Sequence, residues 1–304
     1  MIAIYLLAAA LVLVVAANLV FGRLPKQPPA GGGVVETAHG PIHYLESVGE
    51  GTPIVFIHGM PSTCREFDRV RTLLPGRHTI AFDRPGYAWS SGAPQDFGAQ
   101  LDAVVEAAKT LGVERATVVG HSFGGLAALG LAIRRAEFVD RLLLLAPAAG
   151  GSRISESLQN QARWIQRIEK PVIRNVCDLL FLRIVRRHAA RVGAVTVYGS
   201  SDDFSGERHV AESMLARHNS VKALAHDRLL FNDAERMVTK NLKRIQAPTV
   251  ILHGDADTTV PLRNGRRLHE ALHGSELVEI AADHHLPVKD VGAVLDALAR
   301  LEAM

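Results

Sequence analysis

A strand-to-helix transition is encoded in Ala116-Thr117-Val118-Val119-Gly120-His121-Ser122-Phe123-Gly124-Gly125-Leu126-Ala127-Ala128-Leu129. The stretch begins with a β-branched run that is typical of a strand buried on both faces. Small and apolar residues at helical spacing follow it. Between the two patterns, Ser122 stands in the spacing G-x-S-x-G, whose glycines let the backbones of a tight turn pass without Cβ clashes. We therefore expect Ser122 to lie at the tip of a sheet.

Such a turn suits a nucleophilic hydroxyl. It presents the Ser122 side chain clear of its own backbone, and the first N–H groups of the following helix point at a carbonyl oxygen on which charge develops. A bare G-x-S-x-G also occurs in plain turns. The strand before the motif and the helix after it favour the catalytic interpretation.

Composition limits the class of protein. The 304 residues are 48% apolar and 21% charged, enough to bury one large core or one core with a smaller inserted unit. The net charge is +3, but the basic residues are scattered and few aromatics accompany them, so no nucleic-acid partner is expected. The two cysteines, Cys64 and Cys177, form no C-x-x-C motif and exclude a disulfide framework.

The N-terminal segment, residues 1–22, carries no side-chain charge and consists mainly of Ala, Leu, Val and Ile. Because roughly 20 such residues suffice to cross a bilayer, we predict a single-pass transmembrane anchor. A cleavable signal peptide, which would begin with basic residues, and a buried soluble helix are the alternatives. Arg23 and Lys26 follow the segment and favour the cytoplasmic face for the rest of the chain. Residues 23–33, with several Pro and Gly, are predicted to be a linker.

Strand-like and helix-like segments alternate after the linker. Short strands at 34–37 and 42–46 suit an edge hairpin, and buried strands at 53–57, 78–82, 141–146 and 249–253 alternate with amphipathic helices. This order predicts an α/β fold with a mostly parallel, doubly wound sheet built from residues 34–147 and 242–304. Residues 148–241 are helical in character, apart from a strand-like run at 195–198, and are predicted to be an inserted helical cap.

The loop after the strand at 53–57 reads His58-Gly59-Met60-Pro61. A glycine directly after a strand lets the chain turn back, so that the Met60 N–H can face a cleft as an oxyanion donor. A simple strand-ending turn is the alternative. His58, like Asp83 and Arg84 of the later Pro-Gly turn, is expected to be structural rather than catalytic.

Serine at its ordinary pKa is a poor nucleophile, so it needs a base, and the base needs an acidic partner. Loops that follow later strands supply both types, in the chain order Ser, Asp, His. With these residues the chain resembles the α/β-hydrolase superfamily from about Val34 to the C-terminus, including the position of the cap. The motifs in family order are His58-Gly59, Asp83-Arg84-Pro85-Gly86-Tyr87, the turn around Ser122, Gly254-x-x-Asp257 and the late histidine.

Two choices remain within the triad. Asp257 is preferred to Asp255 because it stands in the arrangement D-x-x-V-P, which is common in such enzymes. His284 and His285 are adjacent: the Asp-His-His-Leu-Pro context favours His284, whereas a gapless count from Asp257 slightly favours His285. A metal is not expected, because no third and fourth ligands at suitable spacing accompany the histidine pair.

The resemblance implies a serine hydrolase that needs no cofactor. His284 would take the proton of Ser122, Asp257 would orient the imidazole, and the N–H groups of Met60 and Phe123 would hold the oxyanion of an acyl-enzyme pathway. The expected substrate is a small-molecule ester or a lipid-like ester. The alternatives are C–C bond hydrolysis or perhydrolysis on the same triad and, more remotely, a non-catalytic binding protein. Haloalkane dehalogenases and epoxide hydrolases of this superfamily form an alkyl-enzyme ester on an aspartate at the position of the nucleophile. This chain has Ser122 there, which argues against both chemistries.

Overall fold

The computed structural model describes residues 2–24, 31–92, 96–199, 203 and 205–304, and in the first helix it describes side chains only for residue 5 and from residue 9 onward. Residues 25–30 of the predicted linker lie outside this part of the chain. The strands are β1 Gly32–Val35, β2 Ile42–Ser47, β3 Glu50–Ile57, β4 Arg77–Phe82, β5 Ala116–His121, β6 Val139–Leu145, β7 Thr249–Gly254 and β8 Glu276–Ile280.

Between β3 and β8 the described helices alternate with the strands except in one long insertion. The described helices are α1 Ile2–Phe21, α2 Asp68–Thr72, α3 Phe97–Thr110, α4 Phe123–Arg134, α5 Glu156–Ile168, α6 Pro171–Leu180, α7 Leu182–Tyr198, α8 Ser205–Leu215, α9 His218–Asn241, α10 Leu262–Ala271, α11 Leu286–Lys289 and α12 Val291–Glu302. Short 3₁₀ turns span Cys64–Phe67 and Leu242–Arg244. The segment between β3 and β4 therefore contains a 3₁₀ turn followed by one short helix.

The eight described strands form one sheet in the order β1-β2-β4-β3-β5-β6-β7-β8. The predicted edge hairpin is present, since β1 pairs antiparallel with β2, and β2 pairs antiparallel with β4. All other neighbours are parallel. The predicted α/β fold with a mostly parallel sheet is thus confirmed.

Two apolar cores cover the two faces of the sheet. On β3, Val55 and Ile57 point into the core formed with α3 and α4, whereas Ile54 and Phe56 point into the core formed with α2 and α12. Because successive side chains of a strand point to opposite faces, central strands buried on both sides must be apolar throughout. This is why β5 and β6 appear in the sequence as continuous apolar runs.

Strand register brings the functional loops to one edge. Ile57 of β3 is aligned with Gly120 of β5, and Leu145 of β6 is aligned with both His121 of β5 and Leu252 of β7. Parallel strands end at the same edge, where ligands bind in open α/β sheets. The segments that follow β3, β5 and β7 therefore emerge side by side.

Five of the described helices, α5–α9, lie in sequence between β6 and β7, and we call them the inserted helices. The long helix α9 packs on α4 and α5. The strand-like run at 195–198 proves to be the end of α7, because Val197 and Tyr198 pack with Ala194 and with Ala211 of α8 in a small apolar cluster. Tertiary packing here overrides the β-branched composition.

The first helix, α1, covers Ile2–Phe21 and contacts α6 and α7. Asn18 is fully buried, and its side-chain nitrogen donates hydrogen bonds to the carbonyl oxygens of Asp178 and Leu179, while its side-chain oxygen accepts one from the Ile184 N–H. Among the described residues, no helix combines the length and apolarity needed to cross a bilayer. The transmembrane anchor predicted over residues 1–22 is not supported, and the described contacts of this helix are to the inserted helices.

Candidate active site

Ser122 forms the turn between β5 and α4 with φ 53° and ψ −118°. A positive φ is costly for a residue with a side chain, so the surrounding backbone must enforce it. The neighbouring glycines permit this closeness: a Cβ on Gly120 would lie 2.3 Å from the Gly124 oxygen, and one on Gly124 would lie 2.0 Å from the Ile57 oxygen. The predicted strained turn is present, with Ser122 at the edge where the strands end.

Asp257, in the loop after β7, holds the ring of His284. One carboxylate oxygen lies 2.7 Å from His284 Nδ1, and the other accepts hydrogen bonds of 2.8 Å from the N–H groups of Thr259 and Val260. Burial alone would raise the pKa of the Asp257 carboxyl, but hydrogen bonds from His253 and His284 hold it well below its ordinary value. Asp257 is buried whereas Asp255 is exposed. The geometry thus favours the aspartate chosen from the sequence.

The two adjacent histidines differ in their partners. Ser122, His284 and His285 all line one pocket, but the Asp257 carboxylate contacts His284. Burial lowers the pKa of His284, partly offset by the hydrogen bond to Asp257. For His285, burial and the nearby histidines lower the pKa to about 4, and its Nδ1 is buried without a hydrogen-bond partner among the described residues. His284 has the arrangement expected of a base oriented by a carboxylate.

Two backbone donors were expected beside the nucleophile. Met60 lines the pocket, and a Cβ placed on Gly59 would come within 3.1 Å of the Ser122 Cβ, so the loop after β3 approaches the nucleophile closely. Phe123 is the first residue of α4, and the N–H groups of a first helical turn have no partner within their helix. Met60 and Phe123 thus flank Ser122 from two directions.

Three residues expected to be structural have contacts that suit that role. The ring of His58 lies 2.8 Å from the Gly59 oxygen and accepts a 3.0 Å hydrogen bond from the Arg84 N–H. Burial, followed by the charge of Arg84, lowers the pKa of His58 to about 4. Arg84 itself forms a buried ion pair of 2.8 Å with Asp227 of α9. Asp83 accepts from the Cys64 N–H and lies 2.7 Å from His43 Nδ1.

Among the described residues, one group has donor atoms close enough for a metal: His43, Cys64 and Asp83, with ligand atoms within 4.8 Å of one another. All three are fully buried and already contact one another. Burial, reinforced by the nearby Asp83 charge, raises the pKa of the Cys64 thiol well above its ordinary value. A neutral thiol is a poor metal ligand, so these contacts suit a structural cluster better than a metal site.

Sequence reasoning missed the pair Glu66 and His121, which lies against the same pocket. His121 occupies the variable position directly before Ser122, and Glu66 lies in the 3₁₀ turn after β3. Their partnership spans 55 positions of the chain. The one sign of this pair in the sequence was the charge of Glu66 within a segment that packs on the sheet.

The pocket has a volume of about 230 Å³. One wall comes from the loops that carry the candidate triad and the expected oxyanion donors, and the other comes from α7 of the inserted helices. The lining residues are Gly59, Met60, Pro61, Glu66, His121, Ser122, Gly193, Thr196, Val197, Thr259, His284 and His285. The contribution of α7 was not foreseen beyond the general expectation of a cap.

A family model described as "Alpha/beta hydrolase family" matches residues 54–297. The chain belongs to the α/β-hydrolase family. The matched range contains each residue of the candidate triad and both expected oxyanion donors, and the family membership agrees with the strand order and the turn at Ser122.

The chain is similar to proteins that are named for several different reactions. The chain is 26% identical over 244 residues to a 2-hydroxy-6-oxo-2,4-heptadienoate hydrolase of Pseudomonas putida, covering 77% of this chain and 82% of that one. An esterase from Exiguobacterium antarcticum shares the fold with a TM-score of 0.69 and 18% identity, over 88% of this chain and 98% of that one. A bacterial membrane phospholipase A superimposes with a TM-score of 0.65 and 22% identity, over 98% and 93% of the two chains.

Proposed function

We propose that this α/β hydrolase is a serine hydrolase that cleaves small, uncharged carboxylic esters. The observation that carries the proposal is that one pocket contains Ser122 on its strained turn together with His284, whose ring is held by Asp257 at 2.7 Å. A hydroxyl, a base and an acid that orients the base are the parts required for acyl transfer.

In the proposed reaction the ester carbonyl binds with its oxygen toward the N–H groups of Met60 and Phe123. His284 Nε2 removes the proton of Ser122 as the hydroxyl oxygen attacks the carbonyl carbon, and Asp257 stabilises the imidazolium that forms. The imidazolium returns the proton to the departing alcohol oxygen as the ester C–O bond breaks. Water, deprotonated by His284, then hydrolyses the acyl-enzyme and regenerates Ser122.

The charge of the pocket lining supports an uncharged substrate. None of the described residues that line the pocket is Lys or Arg, and its buried carboxylate, Glu66, is already paired with His121, so neither of these two groups is left to pair with a substrate carboxylate. Placing a substrate carboxylate there would cost free energy, because a charge removed from water needs a partner. The Pseudomonas relative is named for a dienoate, which is such an anion. This favours ester cleavage over the alternative of C–C bond hydrolysis.

Pocket size points to short acyl groups. The volume of about 230 Å³ is below the roughly 300–1,000 Å³ of ordinary ligand sites. A pocket of this size between the Ser122 side of the sheet edge and α7 selects by length, because an acyl chain longer than the pocket meets its walls, and a methylene left outside gains none of the about 0.8 kcal/mol that burial would supply. Lipid-like esters are correspondingly disfavoured, and the membrane anchor predicted for residues 1–22 forms no part of this proposal.

The test uses the full chain, purified and treated with a fluorophosphonate probe. Labelling of wild-type protein, absent in Ser122→Ala, is expected, together with ester hydrolysis that falls as the acyl chain lengthens. If the folded protein neither reacts with the probe nor hydrolyses any ester, the hypothesis of a serine hydrolase is rejected and a non-catalytic binding protein is favoured. Activity confined to C–C or peroxide substrates, with esters inert, would reject the ester assignment alone.

A further inference from the structure

A buried ion pair, Glu66 with His121, lies behind the nucleophile. The Glu66 oxygen is 2.8 Å from His121 Nδ1, and the two side chains are 2% and 3% exposed. The other ring nitrogen, Nε2, lies 2.8 Å from the carbonyl oxygen of His284. A carbonyl oxygen only accepts hydrogen bonds, so Nε2 must carry a proton. With Nδ1 facing a carboxylate, the geometry describes an imidazolium beside an anion.

The charges of the pair reinforce this description. Burial would raise the pKa of Glu66, but the charge of His121 and its hydrogen bond lower that pKa to about 2. Burial lowers the pKa of His121, and the opposing charge and hydrogen bond of Glu66 raise it above its ordinary value overall. A buried charge is tolerated only when it is paired in this way.

The pair connects three loops of the site. Glu66 accepts a 3.0 Å hydrogen bond from the N–H of Gly59, which precedes the oxyanion donor Met60. His121 lies directly before Ser122 in the chain, and its ring holds the backbone of His284. No other pair described above contacts the turn at Ser122, the loop of Gly59 and Met60, and the loop of His284 together. We call the last two the oxyanion loop and the base loop.

We propose that Glu66 is a positioning residue: acting through His121, it fixes the oxyanion loop and the backbone of His284 relative to Ser122 and keeps a cation beside the base. The proposal rests on the function proposed above. Glu66 takes no part in bond making, and its effect is exerted on kcat through geometry and through the charge of His121. A displacement of about 1 Å between groups that must react can lower the rate on the order of 100-fold.

The electrostatic part of the proposal concerns the groups that face His284. These are Asp257 from the loop after β7, His121 from β5, Glu66 from the 3₁₀ turn and the adjacent His285. The ring of His121 lies 4.8 Å from that of His284, and its positive charge lowers the pKa of His284 more than the charge of Glu66 raises it. From α7, Tyr198 interacts with Glu66, but burial raises the pKa of that phenol well above its ordinary value, so it is neutral.

The decisive variant is Glu66→Gln, which keeps the size of the side chain and removes its charge. Without the carboxylate, burial dominates and His121 loses its proton, so its cation no longer lowers the pKa of His284. We expect kcat to fall about 10- to 100-fold with little change in KM, and the acidic limb of kcat/KM to move to higher pH. The matched control is Asp102→Asn, which removes a carboxylate paired with Arg134 and Arg135 away from the pocket. It should leave both quantities unchanged.

The outcomes separate the two proposals. Wild-type protein without fluorophosphonate labelling defeats the proposed function. The positioning role alone is rejected if the wild-type protein is labelled but Glu66→Gln keeps the wild-type kcat and the acidic limb of its kcat/KM profile does not move. If Glu66→Gln does not fold, NMR titration of ¹⁵N-histidine in Ser122→Ala decides instead: because the pKa of His121 is raised above 6.5, both of its ring nitrogens should carry a proton in most molecules at pH 6.5. A neutral His121 at that pH would overturn the proposal.

Discussion

The carboxylate of Asp257 lies 2.7 Å from Nδ1 of His284, and its second oxygen is occupied by two backbone N–H groups. The carboxylate therefore cannot rotate without breaking contacts on both sides, and the tautomer of His284 with Nδ1 protonated is fixed. Nε2 is left free of that proton and available to accept one. The direction of the proposed proton transfer follows from this relationship.

We expect Asp257→Asn to reduce kcat by about 10⁴-fold, because an amide can present its NH₂ group to Nδ1 and so stabilise the wrong tautomer. The fold should persist, since Asn keeps the size of the side chain. Steady-state kinetics on the best ester would measure the loss, with circular dichroism as the control for folding. A loss below about 10-fold would mean that Asp257 does not orient the base.

Substitution of the two histidines separates their roles. His284→Ala should lose nearly all ester hydrolysis, whereas His285→Ala should keep kcat within about 10-fold and change mainly KM, because His285 lines the pocket without contacting Asp257. The measurement is kcat and KM for both variants on the same substrate. The reverse pattern would assign the base to His285.

The pH dependence of activity follows from the burial of the base. His284 must be neutral to accept a proton, and burial lowers its pKa below the ordinary value of 6.5. We therefore expect the acidic limb of kcat/KM to have its midpoint below pH 6.5. A pH profile of kcat/KM for wild-type protein measures this midpoint directly. A midpoint above 6.5 would show that the base is more exposed than in the structure.

Stability should depend on pH through Glu66 and His121. The folded pKa of Glu66, about 2, is below its ordinary 4.5, so its contribution is complete above pH 4.5 and is lost as the pH falls toward 2. The pKa of His121 is raised, so its contribution is complete below 6.5 and is lost as the pH rises through the folded pKa. Wild type should therefore exceed Glu66→Gln in Tm most clearly between pH 4.5 and 6.5. Thermal melts across pH measure the difference, and a constant difference would contradict this linkage.

The backbone of Ser122 stores strain that a glycine would relieve. At φ 53° a Cβ is unfavourable, so Ser122→Gly should be more stable than Ser122→Ala by about 1–3 kcal/mol, although both lack the nucleophile. The two inactive variants form a matched pair for chemical denaturation. Equal stability, or a more stable alanine variant, would show that the turn is not strained.

The central sheet and the nucleophile turn were predictable because their signals are local. The run from Ala116 to Val119, the two glycines around Ser122 and the helical spacing that follows each depend on residues a few positions apart. The choice of Asp257 over Asp255 rested on a short motif and agrees with the buried carboxylate in the structure. For His284 and His285 the local signals conflicted, and only the contact with Asp257 separates them.

Long-range partnerships were not predictable in the same way. The pairing of Glu66 with His121 depends on how the 3₁₀ turn after β3 packs against the end of β5, and no periodic pattern records that contact. The segment 1–22 shows the converse difficulty, because an uncharged apolar composition does not specify which of its side chains find a partner: Leu11, Val12 and Leu13 remain exposed. In the structure, the partner of Asn18 is the junction of α6 and α7.

The two walls of the pocket come from separate parts of the chain. Ser122, His284 and the loop at Met60 belong to the sheet edge, whereas Gly193, Thr196 and Val197 are carried by α7. Amino-acid substitutions on α7 can therefore change which substrates enter the pocket without moving the side chains proposed to react. Directed evolution of this enzyme should find changes in selectivity by varying one short helical face, while the reaction chemistry remains intact.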